Sequence, residues 1–137
     1  MSPGFVRNSG FSLIELIIVT AMLAILLTLA APSYREFSLR SHRTVAISRL
    51  VTIASCQERI RATAGFYHTG VCLPVSDTHY RYNYEHPGIG STTTYMATAT
   101  PIHAQLKDRC GAMSLDQDGR RAIGNNTAET GRCWAGR

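Results

Sequence analysis

The sequence predicts an α+β fold in which one long N-terminal helix packs against a small antiparallel sheet of three or four strands. An apolar run at residues 11–31 continues into a helical pattern that ends at Gly65. After Gly65 the chain changes to short alternating segments bounded by turn residues. With 137 residues, the chain has room for one small domain beside such a helix. A domain of that size buries only a thin core, so we expect its four cysteines to reinforce it.

The apolar run is about as long as a helix that crosses a bilayer, so the first half of the helix is predicted to be transmembrane. Residues 1–10 before it are polar and carry one charge, at Arg7. The run itself contains a single acid, Glu15. A carboxylate inside a membrane helix costs roughly 2.5–3.5 kcal/mol on insertion scales. The main alternative is an ordinary signal peptide, whose apolar region spans only about 7–15 residues. The length of the run and the presence of Glu15 disfavour it.

The helix is predicted to continue past the apolar run and to end at Ala64, before Gly65. Such a helix, starting at Phe11, has a length of about 80 Å at a rise of about 1.5 Å per residue. Residues at i, i+3, i+4 and i+7 form the predicted apolar face, namely Ile47, Leu50, Val51 and Ala54. Charged residues are expected on the other faces, namely Arg40, Arg43, Arg49, Glu58, Arg59 and Arg61.

Four segments after the helix have the composition of short strands. Residues 79–84 alternate tyrosines with polar residues, and residues 92–100 place one tyrosine and two alanines opposite a row of threonines. Residues 112–116 and 120–123 are the two remaining candidates, joined by a tight hairpin. The connecting segments predict a loop at residues 66–77 and the hairpin turn at 118–119. Two other turns are predicted at 87–90 and 124–126.

Four cysteines follow the apolar run, with no C-x-x-C pair and no histidine at metal-ligand spacing. An even number of cysteines behind an export-type segment predicts two disulfides in an oxidising compartment; four unrelated buried thiols are the alternative. The order of the elements favours Cys56–Cys72, which ties a loop to the helix, and Cys110–Cys133, which closes a C-terminal loop. The sequence alone does not exclude the crossed pairings.

A motif at the start of the apolar run resembles the class III signal of type IV prepilins; it reads Gly10-Phe11-Ser12-Leu13-Ile14-Glu15-Leu16. The resemblance implies cleavage between Gly10 and Phe11 by a prepilin peptidase, followed by N-methylation of the Phe11 amine. It implies a subunit-assembly role for Glu15, as the ion-pair partner of that amine in a neighbouring subunit. It also implies the pilin lollipop fold, with a removed leader at 1–10, a transmembrane and filament-core helix at 11–31 and a globular domain at 32–137.

Short segments later in the chain occur in the same order as in the PilE-type minor pilins, which are related to the ComP-type DNA-receptor pilins. They include Ser41-His42-Arg43-Thr44, Asp108-Arg109-Cys110-Gly111 and Cys133-Trp134. The resemblance implies a minor pilin that supports pilus assembly and so twitching motility, adhesion or biofilm formation. Its implied partners are other pilin subunits, major and minor, the prepilin peptidase/methyltransferase and the inner membrane. The globular domain is expected in the periplasm before assembly and on a pilus at the cell surface afterwards.

The main alternative function is DNA binding in natural transformation; a major pilin is another, and a type II secretion pseudopilin is disfavoured by the C-terminal cysteine loop. The chain has a net charge of +5, and its candidate DNA-binding residues are Lys107, Arg109, Arg120, Arg121, Arg132 and Arg137. Four interspersed acids predict instead a mixed surface without special affinity, namely Asp108, Asp116, Asp118 and Glu129.

Enzymatic chemistry has little support in the sequence. The five histidines are scattered, without an H-x-x-x-H pair, and neither a Gly-rich phosphate loop nor a Ser–His–Asp arrangement is recognisable. We therefore expect no catalytic residue, no metal site and no cofactor.

Overall fold

The structure is a computed structural model that describes residues 11–85, 91–124 and 127–136, without the side chains at 29–32, 91 and 127. The chain divides into two compact units, Met1–Glu36 and Phe37–Arg137. One helix, α1, runs through Leu13–Ala64 and so contributes to both. The turns predicted at residues 87–90 and at Asn125 and Asn126 lie outside the described residues.

The described part of the first unit is the apolar half of α1. Two threonines in this part of the helix donate to backbone carbonyls one turn back, Thr20 to those of Leu16 and Ile17 and Thr28 to that of Ile25. These bonds satisfy both threonines locally. The large apolar side chains of this unit are exposed, namely Leu13, Ile14, Leu16, Ile17, Ile18, Val19, Met22, Leu23, Ile25, Leu26 and Leu27.

Within the described residues, no single helix satisfies the length and hydropathy expected of a membrane span. The segments Leu13–Thr28 and Ser33–Ala64 satisfy them only as a bent pair.

The second half of α1 buries a stripe of residues spaced three and four apart, as expected for one face of a helix. The stripe consists of Arg43, Ala46, Leu50, Ile53 and Gln57. The predicted apolar face was therefore wrong in part. Leu50 is in the core and Ile47 and Ala54 pack at its margin, but Val51 is 46% exposed. The true face contains two polar residues, which a search for apolar spacing does not count.

The predicted end of the helix is confirmed. Gly65 follows Ala64 with a φ of +80°, and its N–H donates to the carbonyl of Arg61 at 2.8 Å. This left-handed conformation is one that glycine adopts without steric cost, and the bond satisfies one of the last free carbonyls of the helix.

A four-stranded antiparallel sheet lies in the second unit, with the strand order β2-β4-β5-β6. The strands are β2 (Tyr80–Tyr84), β4 (Met96–Pro101), β5 (Met113–Asp116) and β6 (Arg121–Ile123). The prediction of a small antiparallel sheet is confirmed; three of the candidate segments contain one strand each, and β4 begins inside the predicted segment 92–100 and ends one residue beyond it. Two further short strands, β1 (Tyr67–His68) and β3 (Ser91–Thr92), pair with each other.

Strand β1 lies in a segment predicted to be an irregular loop. The side chain of Gln57 holds it to α1, because its Oε1 accepts from the N–H of His68 at 3.0 Å and its Nε2 donates to the carbonyl of His68 at 2.9 Å. A buried amide thus satisfies the backbone of a two-residue strand, which is too short for an alternating pattern.

The core lies between α1 and one face of the sheet. Ala97 and Ala99 of β4 are fully buried, opposite the buried Leu115 and Met113 of β5. The threonines of β4 were predicted on the face opposite these alanines, and Thr98 on that face is also buried. It occupies the middle of a central strand, between Asn83 and Ser114 on the two neighbouring strands, so the adjacent side chains cover it.

Candidate functional site

The short C-terminal helix α2 (Thr130–Trp134) forms the centre of the candidate site. Its Cys133 is bonded to Cys110, with a Cα–Cα distance of 5.8 Å, and both cysteines are buried. Its Trp134 donates from the indole Nε1 to the carbonyl of Ala122 in β6 at 3.2 Å. The helix is therefore attached to the loop before β5 by a covalent bond and to an edge strand by a hydrogen bond.

The second disulfide lies away from this site. It joins Cys56, near the end of α1, to Cys72 in the segment between α1 and β2, with a Cα–Cα distance of 5.9 Å. The two bonds are the pairs that the order of the elements favoured, and neither crossed pairing is present.

Three of the candidate basic residues lie in α2 or beside it. Arg109 and Arg132 each immediately precede a bridged cysteine, so the disulfide brings their backbones together. Arg121 begins β6, and its guanidinium carbon lies 5.3 Å from the centre of the Trp134 ring. All three side chains are exposed. The prediction that the C-terminal loop and the last hairpin contribute cations to one region therefore agrees with the structure for these three.

Two further candidates lie next to members of this group in the sequence. Lys107 ends the 3-10 helix His103–Lys107, two residues before Arg109, and Arg120 precedes β6 at the hairpin turn. Both are exposed. The sixth candidate, Arg137, lies outside the described residues. We give the name basic cluster to the five described cations on the C-terminal loop and the last hairpin, namely Lys107, Arg109, Arg120, Arg121 and Arg132.

The acids interspersed with the basic cluster differ in how much charge they present. Glu129 approaches Arg109 at 3.9 Å between carboxylate oxygen and Nε, with both side chains substantially exposed (33% and 42%). Asp116 uses its Oδ1 to accept the N–H groups of Asp118 and Arg120, at 2.9 and 2.8 Å. Asp116 therefore shapes the hairpin turn, while Asp118 is exposed.

Asp108, in contrast, is withdrawn from the surface. Arg43 of α1 binds it with two hydrogen bonds, Nε to Oδ2 at 2.9 Å and Nη2 to Oδ1 at 2.7 Å. The side chains are 1% and 0% exposed. Two expectations were therefore wrong: Arg43 does not lie on a solvent face of α1, and Asp108 does not dilute the positive surface.

Three neighbours complete the environment of Asp108. Gln105 donates from Nε2 to Oδ2 at 2.9 Å, the hydroxyl of Tyr80 to Oδ2 at 3.4 Å, and the N–H of Cys110 to Oδ1 at 3.0 Å. Burial, followed by the negative charge of Asp108, raises the pKa of the Tyr80 hydroxyl, so this group stays protonated and can donate. Asp108, which lies between Lys107 and Arg109, thus fixes the backbone at the bridged Cys110.

The N-terminal candidates can be located only in part. Gly10 lies outside the described residues. Phe11 is exposed just before α1 begins, and Glu15 lies exposed in its first turn. A carboxylate in this position interacts favourably with the positive end of the helix dipole.

The described ranges contain no cluster of three or more His, Cys, Asp or Glu side chains able to hold a metal ion.

Comparison with known proteins agrees with the long helix, the antiparallel sheet and the disulfide-closed C-terminal loop, which together define a type IV pilin. A solved structure of a type IV pilin from Shewanella oneidensis matches with a TM-score of 0.55 and 27% identity, covering 65% of this chain and 96% of that one. Residues 6–31 match the prokaryotic N-terminal methylation motif. Residues 32–114, more than half of the chain, match the model of the type IV minor pilin ComP, DNA uptake sequence receptor; the chain belongs to this family. The fold and the resemblance to pilins related to ComP are therefore confirmed.

One curated relative is similar over a shorter segment. The type IV major pilin protein PilA of Myxococcus xanthus (strain DK1622) is 40% identical over 52 residues, which is 38% of this chain. The chain spans about a quarter of the length of that relative (24%).

Proposed function

We propose that this chain is a minor pilin that is assembled into a type IV pilus at the cell surface and binds DNA there through the basic cluster. The observation that carries the DNA-binding role is the distribution of charge around the C-terminal loop. Five cations are exposed, while the acid nearest to them in sequence, Asp108, is neutralised inside the domain by Arg43. The description of the matching family as a DNA uptake sequence receptor supports the same role.

The basic cluster has the chemistry that phosphates require. Four of its five members are arginines, whose guanidinium groups match phosphate oxygens bidentately. The pair of Arg109 with Glu129 is long and exposed, and exposed pairs of this kind contribute about 0–1 kcal/mol. A phosphate can therefore replace Glu129 at little cost.

The assembly role depends on the N-terminal half of the chain. Cleavage after Gly10 creates a new amine at Phe11, and Glu15 lies four residues further on in the first turn of α1. Buried in a filament, a charged amine and a carboxylate need each other as partners. The exposed apolar side chains of the first unit provide the surface that lipid covers before assembly and other pilin subunits, major or minor, cover afterwards. A pilus-assembly role of this kind supports twitching motility, adhesion or biofilm formation.

Processing of the leader is directly measurable. We expect the chain extracted from membranes to lack residues 1–10 and to carry one additional methyl group on Phe11, because the motif around the scissile bond matches the prepilin signal. The domain limits proposed above, with a membrane and filament-core helix at 11–31, require this terminus. Intact-mass measurement checks the expectation. A mature terminus near Ala31 would instead indicate ordinary secretion.

DNA binding is testable with the detergent-solubilised full-length chain and a short fluorescent DNA duplex. If about four phosphates are contacted, affinity should fall about a hundredfold between about 50 and 200 mM salt. Replacing Arg120 and Arg121 together with alanine should weaken binding and lower the slope of log affinity against log salt by about 2.

The matched control removes two other exposed arginines, Arg59 on α1 and Arg81 on β2. This variant loses the same charge, and its Arg81 lies on β2, the sheet edge opposite β6. The DNA-binding role is rejected if the wild-type chain does not bind at low salt. An equal loss of affinity in the control variant would reject the basic cluster as the site.

A further inference from the structure

Trp134 occupies an unusual position beside the basic cluster. It is the single tryptophan of the chain, and its side chain is 93% removed from solvent, with a relative exposure of 7%. The bond from Nε1 to Ala122 holds one edge of the indole on β6, and the adjacent Cys133 is held by its disulfide. The ring is therefore a rigid surface at the edge of the sheet.

The guanidinium of Arg121 lies over this rigid surface, with its carbon 5.3 Å from the ring centre. A cation at this distance from an aromatic face is attracted by the ring quadrupole. Arg121 remains exposed to solvent. Across the three described ranges, no carboxylate lies within ion-pair distance of it.

The contrast with Arg109 shows what the ring contributes. A carboxylate, Glu129, faces Arg109 and offsets part of its charge. An aromatic ring also restricts an arginine side chain, but it leaves the full positive charge for a ligand. Binding a ligand through a flexible side chain costs conformational entropy, because the side chain becomes ordered. An arginine that is already restrained by a ring loses less of this entropy when the ligand binds.

We propose that Trp134 is a positioning residue for DNA binding: its ring holds the guanidinium of Arg121 in the orientation in which it meets a phosphate. This inference rests on the proposed DNA-binding function and extends it to a residue that itself carries no charge. Trp134 acts through Arg121 and needs no contact with DNA.

A double-mutant cycle tests the inference, since two residues that act as a unit are not additive. The full-length chain in detergent is titrated with the fluorescent duplex as wild type, Trp134→Leu, Arg121→Ala and the double variant. We expect Trp134→Leu to weaken binding about three- to tenfold, because the restraint on one side chain is lost. The slope against salt should stay within the error of the wild-type slope, because no cation is removed.

In the Arg121→Ala background, Trp134→Leu should have no further effect on affinity. Trp134→Phe keeps an aromatic face and loses the indole N–H, so we expect it to retain wild-type affinity even if the chain unfolds at a lower temperature. A separate melting curve for each variant distinguishes loss of fold from loss of positioning.

Three outcomes would overturn the proposal. If Trp134→Leu lowers DNA affinity equally in the wild-type and the Arg121→Ala backgrounds, the tryptophan only stabilises the domain. Full affinity of Trp134→Leu would mean that Arg121 needs no positioning. Absence of DNA binding by the wild-type chain would reject the proposed function itself and this role with it, whereas binding with an additive cycle would reject this role alone.

Discussion

Replacing Asp108 with alanine is expected to lower the free energy of unfolding by about 3–5 kcal/mol, because it removes the carboxylate that binds the buried guanidinium of Arg43 with two hydrogen bonds. Both side chains are almost completely inaccessible, and the two hydrogen bonds between them are 2.7 and 2.9 Å long. The change also removes the acceptor for the N–H of Cys110. Chemical denaturation of the wild-type and variant chains with the disulfides intact measures the difference.

The matched control for this prediction is Glu129→Ala, which removes a carboxylate from an exposed ion pair with Arg109. Exposed pairs contribute about 0–1 kcal/mol, so this variant should unfold almost as the wild type does. A loss of less than about 1 kcal/mol for Asp108→Ala as well would contradict the role of the buried pair.

Apolar replacement of both partners provides a further distinction. A double variant, Arg43→Met with Asp108→Leu, should be less destabilised than Asp108→Ala alone, because it buries no unpaired charge. It should still be less stable than the wild type, since Gln105 and the N–H of Cys110 lose an acceptor.

Replacing Glu15 with alanine is expected to leave processing intact and to reduce incorporation into filaments by at least about tenfold, since an unpaired buried charge costs more than about 1.4 kcal/mol. In the proposed assembly, the charge that loses its partner is the Phe11 amine of a neighbouring subunit. Insertion into the membrane should not suffer, because removing a carboxylate from an apolar helix makes insertion easier. Quantifying the chain in sheared filaments and in the membrane fraction measures both effects.

Glu15→Gln removes the charge but keeps the size of the side chain, so it separates the effect of charge from that of size. We expect it to fail in assembly as Glu15→Ala does. Normal amounts of the alanine variant in sheared filaments would show that this carboxylate does not pair during assembly.

Local signals were sufficient to predict most of the fold. Gly65 ends α1 because a glycine can adopt the left-handed conformation, and this signal is visible in one residue. Strands β2 and β4 were visible as alternating segments, and β5 and β6 as short segments on either side of a hairpin turn. The two disulfides followed from the order of the elements along the chain.

The parts that escaped prediction depend on contacts between distant residues. Arg43 and Asp108 are 65 positions apart, and an arginine on an amphipathic helix ordinarily faces solvent. Their pairing decides both which face of α1 is buried and which acids remain at the basic cluster. The contact of Arg121 with Trp134 also requires the C-terminal helix to fold back on β6. Neither contact has a periodicity or a motif in the sequence.

In the proposed function, an assembled pilin presents the basic cluster to DNA. The most direct measurement compares sheared filaments from a strain with the wild-type chain and from one with Arg120→Ala and Arg121→Ala, normalised to the amount of chain incorporated. Both filament samples are mixed with fluorescent duplex DNA at low salt and sedimented. We predict that wild-type filaments retain several-fold more DNA than variant filaments, and that this difference disappears as salt is raised. Equal retention by the two filament samples at low salt would show that the basic cluster does not bind DNA in the pilus.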